Sequence, residues 1–284
     1  TVGTHMSAEE AEQVLIMEKN GIRMAFLAYT YGTNGIPVPE DKPYLVNLID
    51  EERIVADIAK ASQAGADVAI VQRTPEESDN AVRIRGLGRR CETFVRDLSD
   101  TSNIQPLIDD IKAAFGRIDI LVNNAGVQRR SPSVDFSEED WDYVMQVNAK
   151  SVFFLCQAAG REMLKQGKGK IINVASLLSF QGGITVPAYA ASKGAVAQFT
   201  KTLSNEWAGK GVNVNAIAPG YMATEMNTAL MEDKVRHEQI LQRIPAGRWG
   251  TPEDMAGAVV FLASSASDYI NGEIITVDGG WMGR

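Results

Sequence analysis

Tyr189 and Lys193 stand four residues apart in Tyr-Ala-Ala-Ser-Lys, at the start of a helical pattern, a spacing that brings both side chains to one helix face. That pairing suits a proton donor and its tuner. A phenol ionises near pH 10, and bringing it to work near pH 7 needs roughly 4 kcal/mol from a neighbouring cation, for which Lys193 is the nearest candidate. Among seven tyrosines such a pair carries little weight alone, so its neighbours decide the matter. Ser176 closes the apolar run Ile171-Ile-Asn-Val-Ala, thirteen residues before Tyr189, and Asn148 lies in Gln146-Val-Asn-Ala-Lys. These four polar groups are placed to converge at the C-terminal edge of a parallel sheet. The plainer readings stay open beside this one: Asn148 as a residue on a helix surface, and Ser176 as an ordinary hydroxyl at a strand end.

Positioning such a set requires a regular scaffold, and the chain supplies one from about residue 52 onward. Short apolar runs at Val68–Gln72, Thr93–Asp97, Ile118–Asn123, Lys170–Ala175, Val212–Ala218 and Ile274–Asp278 predict strands. Between them, helices are predicted at Glu52–Gln63, Ile104–Phe115, Trp141–Lys165, Ala188–Ala208 and Pro252–Ala263. The alternation predicts an α/β fold: a doubly wound parallel sheet of Rossmann type, three layers deep, in a single domain. An earlier strand, Arg23–Tyr29, is expected to pair beside Val68–Gln72 at the centre of the sheet.

That first strand should lead through a tight glycine-rich turn into a helix whose N-terminal amides hold a cofactor pyrophosphate. Instead Thr30 to Ile49 intervene, with Pro37, Pro39 and Pro43 among them. Gly32 and Gly35 suggest a degraded phosphate loop, but Pro37 stands where a third glycine would be expected and has no amide to donate. Glycines that simply permit turns in an irregular loop are the favoured reading.

Composition excludes several other functions. The 284 residues are 45% hydrophobic, enough to bury a full core. A formal net charge of -8 with no long basic block argues against nucleic acid and anionic membranes as partners. No apolar run reaches the roughly 18 residues of a membrane span, and a cytoplasmic location with reduced thiols is expected. Cys91 and Cys156 lack metal-ligand spacing, and His5 and His237 are the only imidazoles, so no metal site and no Ser-His-Asp triad is expected. Residues 1–6, ending in His-Met, read as a cloning remnant.

With Leu121-Val-Asn-Asn-Ala-Gly126 upstream and Asn215-Ala-Ile-Ala-Pro-Gly220 downstream, the order and spacing of Asn148, Ser176, Tyr189 and Lys193 resemble the short-chain dehydrogenase/reductase superfamily over about residues 64–284. The resemblance implies NAD or NADP as cofactor and Tyr189 as general acid/base toward a carbonyl or hydroxyl. Lys193 would lower the tyrosine pKa and hold the nicotinamide ribose, Ser176 would bond the reacting oxygen, and Asn148 would help hold a proton-relaying water. It also implies that Asp97 and Leu98 flank the adenine and that Asn124, Ala125 and Gly126 line the cofactor cleft. Pro219, Gly220, Met222 and Thr224 would meet the nicotinamide end. Asp97 also reads as a solvated turn residue. Gln72 stands where an acidic residue would accept the ribose hydroxyls of NAD, and Arg73 after it leans slightly toward the extra phosphate of NADP, leaving the preference open.

Gly126-Val-Gln-Arg-Arg, Leu178-Ser-Phe-Gln-Gly-Gly, Ile244-Pro-Ala-Gly-Arg-Trp-Gly and Val277-Asp-Gly-Gly-Trp resemble the subgroup of 2-dehydro-3-deoxy-D-gluconate 5-dehydrogenases and 2-deoxy-D-gluconate 3-dehydrogenases. A small sugar acid is the implied substrate, with Arg129, Arg130 or Gln181 as candidates to meet its carboxylate or hydroxyls; a surface role for both arginines stays open. Tyr221 to Gln239 reads as a mobile lid, and a homotetramer is expected. The N-terminal portion, from Gly21-Ile-Arg-Met-Ala-Phe to Gly65-Ala-Asp-Val, instead resembles a fragment of CapA-type capsule-biosynthesis proteins. A chimera is inferred, in which residues 7–66 replace the usual strand, glycine loop and helix within a domain spanning 7–284. Its alternative activity is none: a folded scaffold with weak or absent cofactor binding.

Overall fold

The computed structural model describes residues 15–19, 22–26, 66–75, 79–224 and 227–284. The predicted helix Glu52–Gln63, the proline-rich passage Thr30 to Ile49 and the remnant 1–6 lie outside them. Two compact units divide the chain, one up to Val95 and one from Arg96 onward.

In the first unit, strands β1 (Leu15–Lys19) and β2 (Ile22–Phe26) pair antiparallel, from Leu15 opposite Phe26 to Lys19 opposite Ile22. This corrects the expected parallel pairing of Arg23–Tyr29 beside Val68–Gln72. The missed signal is local: the dipeptide Asn20-Gly21 between two β-forming runs has the composition that two-residue hairpins favour. Strand β3 (Val68–Gln72) pairs parallel with β4 (Cys91–Val95), which starts two residues before the predicted strand. Helix α1 (Asp79–Gly86) connects them and buries Ala81. Arg89 donates to Asp67 at 2.9 Å and to the Ala66 carbonyl, fastening the entrance of β3 to that of β4.

The second unit carries a four-stranded parallel sheet in the order β5 (Ile120–Asn123), β6 (Gly169–Val174), β7 (Val212–Pro219), β8 (Ile274–Val277). The two central strands are buried almost throughout, as expected where helices cover both faces. Alternation along β6 shows this directly. Ile172 points into a cluster with Ile217 and Leu262, the last from helix α8 (Pro252–Ala263), while its neighbour Asn173 donates to Thr200 of helix α5 (Pro187–Trp207) at 2.9 Å. Asn173 also accepts from Asn123 of β5 at 2.9 Å, so a buried polar chain crosses two strands and a helix with its partners satisfied. Helix α2 (Ile104–Phe115) buries Ile104, Leu107 and Ile108 on one stripe.

The long helix predicted over Trp141–Lys165 is interrupted. Helix α3 (Glu138–Met145) begins behind Ser137, whose hydroxyl accepts from the Asp140 amide, with three acidic residues in its first turn. A π-helical turn follows at Gln146–Lys150, and helix α4 runs over Ser151–Gln166. On α4, Gly160 meets α5: a Cβ there would lie 2.7 Å from the Trp207 ring, so the indole fills the space that a side chain would need.

Candidate active site

Asn148 sits in the π turn and is fully buried. An extra residue in one turn rotates the side chains that follow, which is why such turns recur at functional sites. Here the Asn148 amide aims at the loop after β5: its Oδ1 accepts from the Val127 amide at 2.8 Å, and its Nδ2 donates to the Val127 carbonyl at 2.8 Å and to Ser192 at 3.2 Å. Both polar atoms of the side chain are thus bonded to protein. Gln146 in the same turn donates to the Ser99 carbonyl at 2.9 Å.

Ser176 caps the short turn Leu177–Ser179 reciprocally with Ser179: the Leu178 amide donates to Ser176 Oγ at 3.2 Å and the Ser176 amide donates to Ser179 Oγ at 3.3 Å. Ser179 then donates to the Lys193 carbonyl at 2.7 Å, tying that turn to α5. Sequence reading missed Ser179 and Ser192, whose roles show only when Lys193 and Asn148, 14 and 44 residues away, come to bond them.

On the first turns of α5, Lys193 is buried and its Nζ donates to the Val174 carbonyl at 2.6 Å, 5.7 Å from the centre of the Tyr189 ring. Desolvation lowers its pKa to about 8. Burial raises the Tyr189 phenol above its usual value, opposed first by a hydrogen bond with Ser176 and then by the charge of Arg130. Cys156 is excluded as a nucleophile, since burial pushes its thiol up to about 12.

Ser176 and Tyr189 border a cavity of about 360 Å³. Of the predicted substrate residues, Arg130 and Gln181 line it, and Arg130 donates to Gln128 Oε1 at 3.1 Å. Arg129 does not line it: its guanidinium pairs with Asp140 at 3.1 Å and lies 4.8 Å over the Tyr143 ring. Helix α7 (Lys234–Arg243) closes another wall with Arg236, Gln239 and Arg243, none of which the sequence reading selected. Their helical spacing of three and four was the available signal.

Pro219 and Gly220 border the same cavity at the end of β7. A Cβ on Gly220 would lie 2.6 Å from Asp278 Cα, so only glycine admits that approach. Met222 is buried and its carbonyl accepts from the Thr224 amide at 3.0 Å, but neither residue lines the cavity. Asn124 and Ala125 are exposed in the loop after β5. A Cβ on Gly126 would lie 3.5 Å from Asn148 Oδ1 and 3.8 Å from Lys193 Nζ, so the backbone there passes beside the ammonium. Asp97 is exposed, its carboxylate accepting from the Ser99 amide at 2.8 Å, with Leu98 half-buried beside it. In the first unit, Gln72 donates to the Thr74 carbonyl at 2.8 Å and Arg73 is exposed.

The donor set fits the ribose end of a nicotinamide dinucleotide. An ammonium has three donors, and Lys193 spends one on Val174.

Comparison with known proteins shows the family. A family model described as Enoyl-(Acyl carrier protein) reductase matches residues 52–282, and one described as Bacterial capsule synthesis protein matches residues 1–74. The chain is 53% identical over 224 residues to a 2-dehydro-3-deoxy-D-gluconate 5-dehydrogenase of Dickeya dadantii (strain 3937), covering 78% of this chain and 88% of that protein. It is 42% identical over 217 residues to a gluconate 5-dehydrogenase of Gluconobacter oxydans (strain 621H), covering 76% and 85%. A solved gluconate 5-dehydrogenase from Burkholderia cenocepacia J2315, in complex with NADP and tartrate, is 41% identical with a TM-score of 0.75, covering 80% of this chain and 91% of that one. With one model spanning residues 52–282 and such identity along the same stretch, the chain belongs to the short-chain dehydrogenase/reductase family.

Proposed function

We propose that the chain is an NAD(P)-dependent oxidoreductase that interconverts a hydroxyl and a ketone on a small sugar acid of the 2-deoxy-D-gluconate or 2-keto-3-deoxygluconate type. The observation that carries this is Tyr189 and Ser176 together on the wall of a cavity that also presents arginine and glutamine. The bound nicotinamide supplies hydride transfer. Tyr189 gives or takes the proton at the substrate oxygen, and Ser176 orients that oxygen and steadies the phenolate. Lys193 holds the ribose hydroxyls and, charged below pH 8, favours ionisation of the nearby phenol once a proton must leave. Asn148 fixes the loop carrying Asn124 to Gly126, which would line the cofactor cleft. Asp97 and Leu98 would flank adenine, Gln72 and Arg73 the ribose end that separates NAD from NADP, and Met222 and Thr224 the nicotinamide. Arg130 and Gln181 are the substrate contacts; Arg129 is set aside by its pairing with Asp140. A cytoplasmic homotetramer is the expected assembly.

A second reading is favoured by the capsule-synthesis match over residues 1–74, which overlaps the dehydrogenase match at 52–74. In that reading the chain is a chimera whose N-terminal unit replaced the phosphate-binding loop, and cofactor binding is weak or lost. Loss of several amide contacts of about 1–3 kcal/mol each would weaken binding by orders of magnitude. Titration with NADH and NADPH, followed by nicotinamide fluorescence, separates the two. Saturable binding, with turnover of 2-keto-3-deoxygluconate that Tyr189→Phe lowers by about 10²–10⁴-fold at unchanged cofactor affinity, supports the enzyme. No binding at millimolar dinucleotide supports the chimera.

A further inference from the structure

Three arginines line the cavity, and no carboxylate does so among its described lining residues, in a protein of net charge -8. The three are not equivalent. Arg130 lies at the reacting end, where its charge bears on the Tyr189 phenol. Arg243 packs its guanidinium 4.0 Å over the Trp281 ring, a cation–π contact that occupies its face. Arg236 is half-buried, and its guanidinium makes one hydrogen bond, to Gln239 Oε1 at 3.1 Å, and no ion pair among the described residues. Of the five donors on a guanidinium, most are therefore left to a ligand.

Its position is well determined. Asp233 caps α7 by accepting from the Val235 and Arg236 amides at 3.0 and 3.1 Å, which fixes the start of the helix. Four residues on, Ile240 is buried in a cluster with Leu177, Ile244, Trp249 and Trp281, which seats the helix. Arg236, Gln239 and Arg243 then fall on the face turned to the cavity.

We propose that Arg236, oriented by Gln239, is the residue that recognises the carboxylate of the substrate and sets the preference for acids over neutral sugars and polyols. This rests on the sugar-acid reading above. In an acid oxidised near one end, the carboxylate stands at the other end of the carbon chain, and Arg236 is carried on a different helix from Tyr189. A planar guanidinium with free parallel donors matches a carboxylate there in a two-point, charge-assisted contact.

D-gluconate and D-glucitol share a carbon chain and differ in carboxylate against hydroxymethyl, so calorimetric titration of the whole protein with both isolates the contact. The wild type is expected to bind gluconate at least tenfold more tightly than glucitol. Arg236→Gln should abolish that preference, Arg236→Lys should keep part of it, and Gln239→Leu should weaken it two- to threefold, all with unchanged melting temperature. A wild type indifferent to the carboxylate, or an Arg236→Gln variant that keeps the preference, overturns the proposal. Turnover with NADP+ is read separately: the preference with no turnover supports the carboxylate contact while sinking the oxidoreductase reading.

Discussion

The framework that holds Ser176 and Tyr189, the floor of the proposed reacting end, and the α7 wall of the cavity are built on different terms. In that floor Asn148, Ser176, Ser179 and Lys193, of which Ser176 itself borders the cavity, all bond to main-chain groups, on the loop after β5, the turn after β6, β6 itself and α5. Of these elements, β6 is buried almost throughout. On the wall, the Arg236 guanidinium bonds, among the described residues, only to Gln239 on its own helix, and Arg243 rests on an aromatic ring. The difference teaches a division of labour: the reacting end is held to close tolerance by backbone, while the recognising end is carried by long side chains on a short helix that can adjust.

The sharpest way to break this contrast is to cut the floor. Asn148→Ala removes a fully buried amide and leaves both the N–H and the C=O of Val127 without their partner. At about 1–3 kcal/mol for each orphaned group, denaturant unfolding should show a loss of roughly 2–5 kcal/mol. A loss under 1 kcal/mol would show that the floor is no more rigid than the wall.

Lys193→Met tests the cost of that floor. Charged Lys193 is buried with only a carbonyl partner, and its pKa falls to about 8 from 10.5. A lysine whose folded pKa is depressed penalises the fold fully below pH 8, and the penalty fades as pH rises from 8 to 10.5. The variant should therefore be more stable than wild type by about 3 kcal/mol at pH 7, with the advantage vanishing toward pH 10.5 and activity lost. An advantage independent of pH would assign it to packing instead.

The smallest effect is a shift along the pH axis. Ser176 holds the Tyr189 phenol down against burial, so Ser176→Ala should raise that pKa. The alkaline rise of kcat/KM for hydroxyl oxidation then moves to higher pH, and the rate at pH 8 falls. A fall in rate with the limb unmoved would leave Ser176 only an orienting role.

How much of this was legible beforehand depends on range in the sequence. Tyr189 and Lys193 share one helix, and Ser176 ends one strand, so spacing alone placed them at the same sheet edge. Helices α2 and α8 announced themselves by periodicity and by Thr251 with Pro252 at the start of α8. The π turn was invisible, because Gln-Val-Asn-Ala-Lys fits an ordinary helix and only the pull of Val127 on Asn148 makes the extra residue worthwhile. Arg129 and Arg130 are adjacent and chemically alike, yet Asp140 claims one and the cavity the other.

The sequence by itself determined the parallel α/β scaffold and put forward the four candidate residues of the proposed reacting end, because both are written in short-range patterns of spacing. Tertiary structure alone decided the raised phenol pKa of Tyr189 and the choice of Arg130 over Arg129 for the cavity wall. Each of those depends on which groups meet in space and how much water they exclude, and the field at a phenol or a guanidinium is set by such neighbours rather than by the residues beside it in the chain.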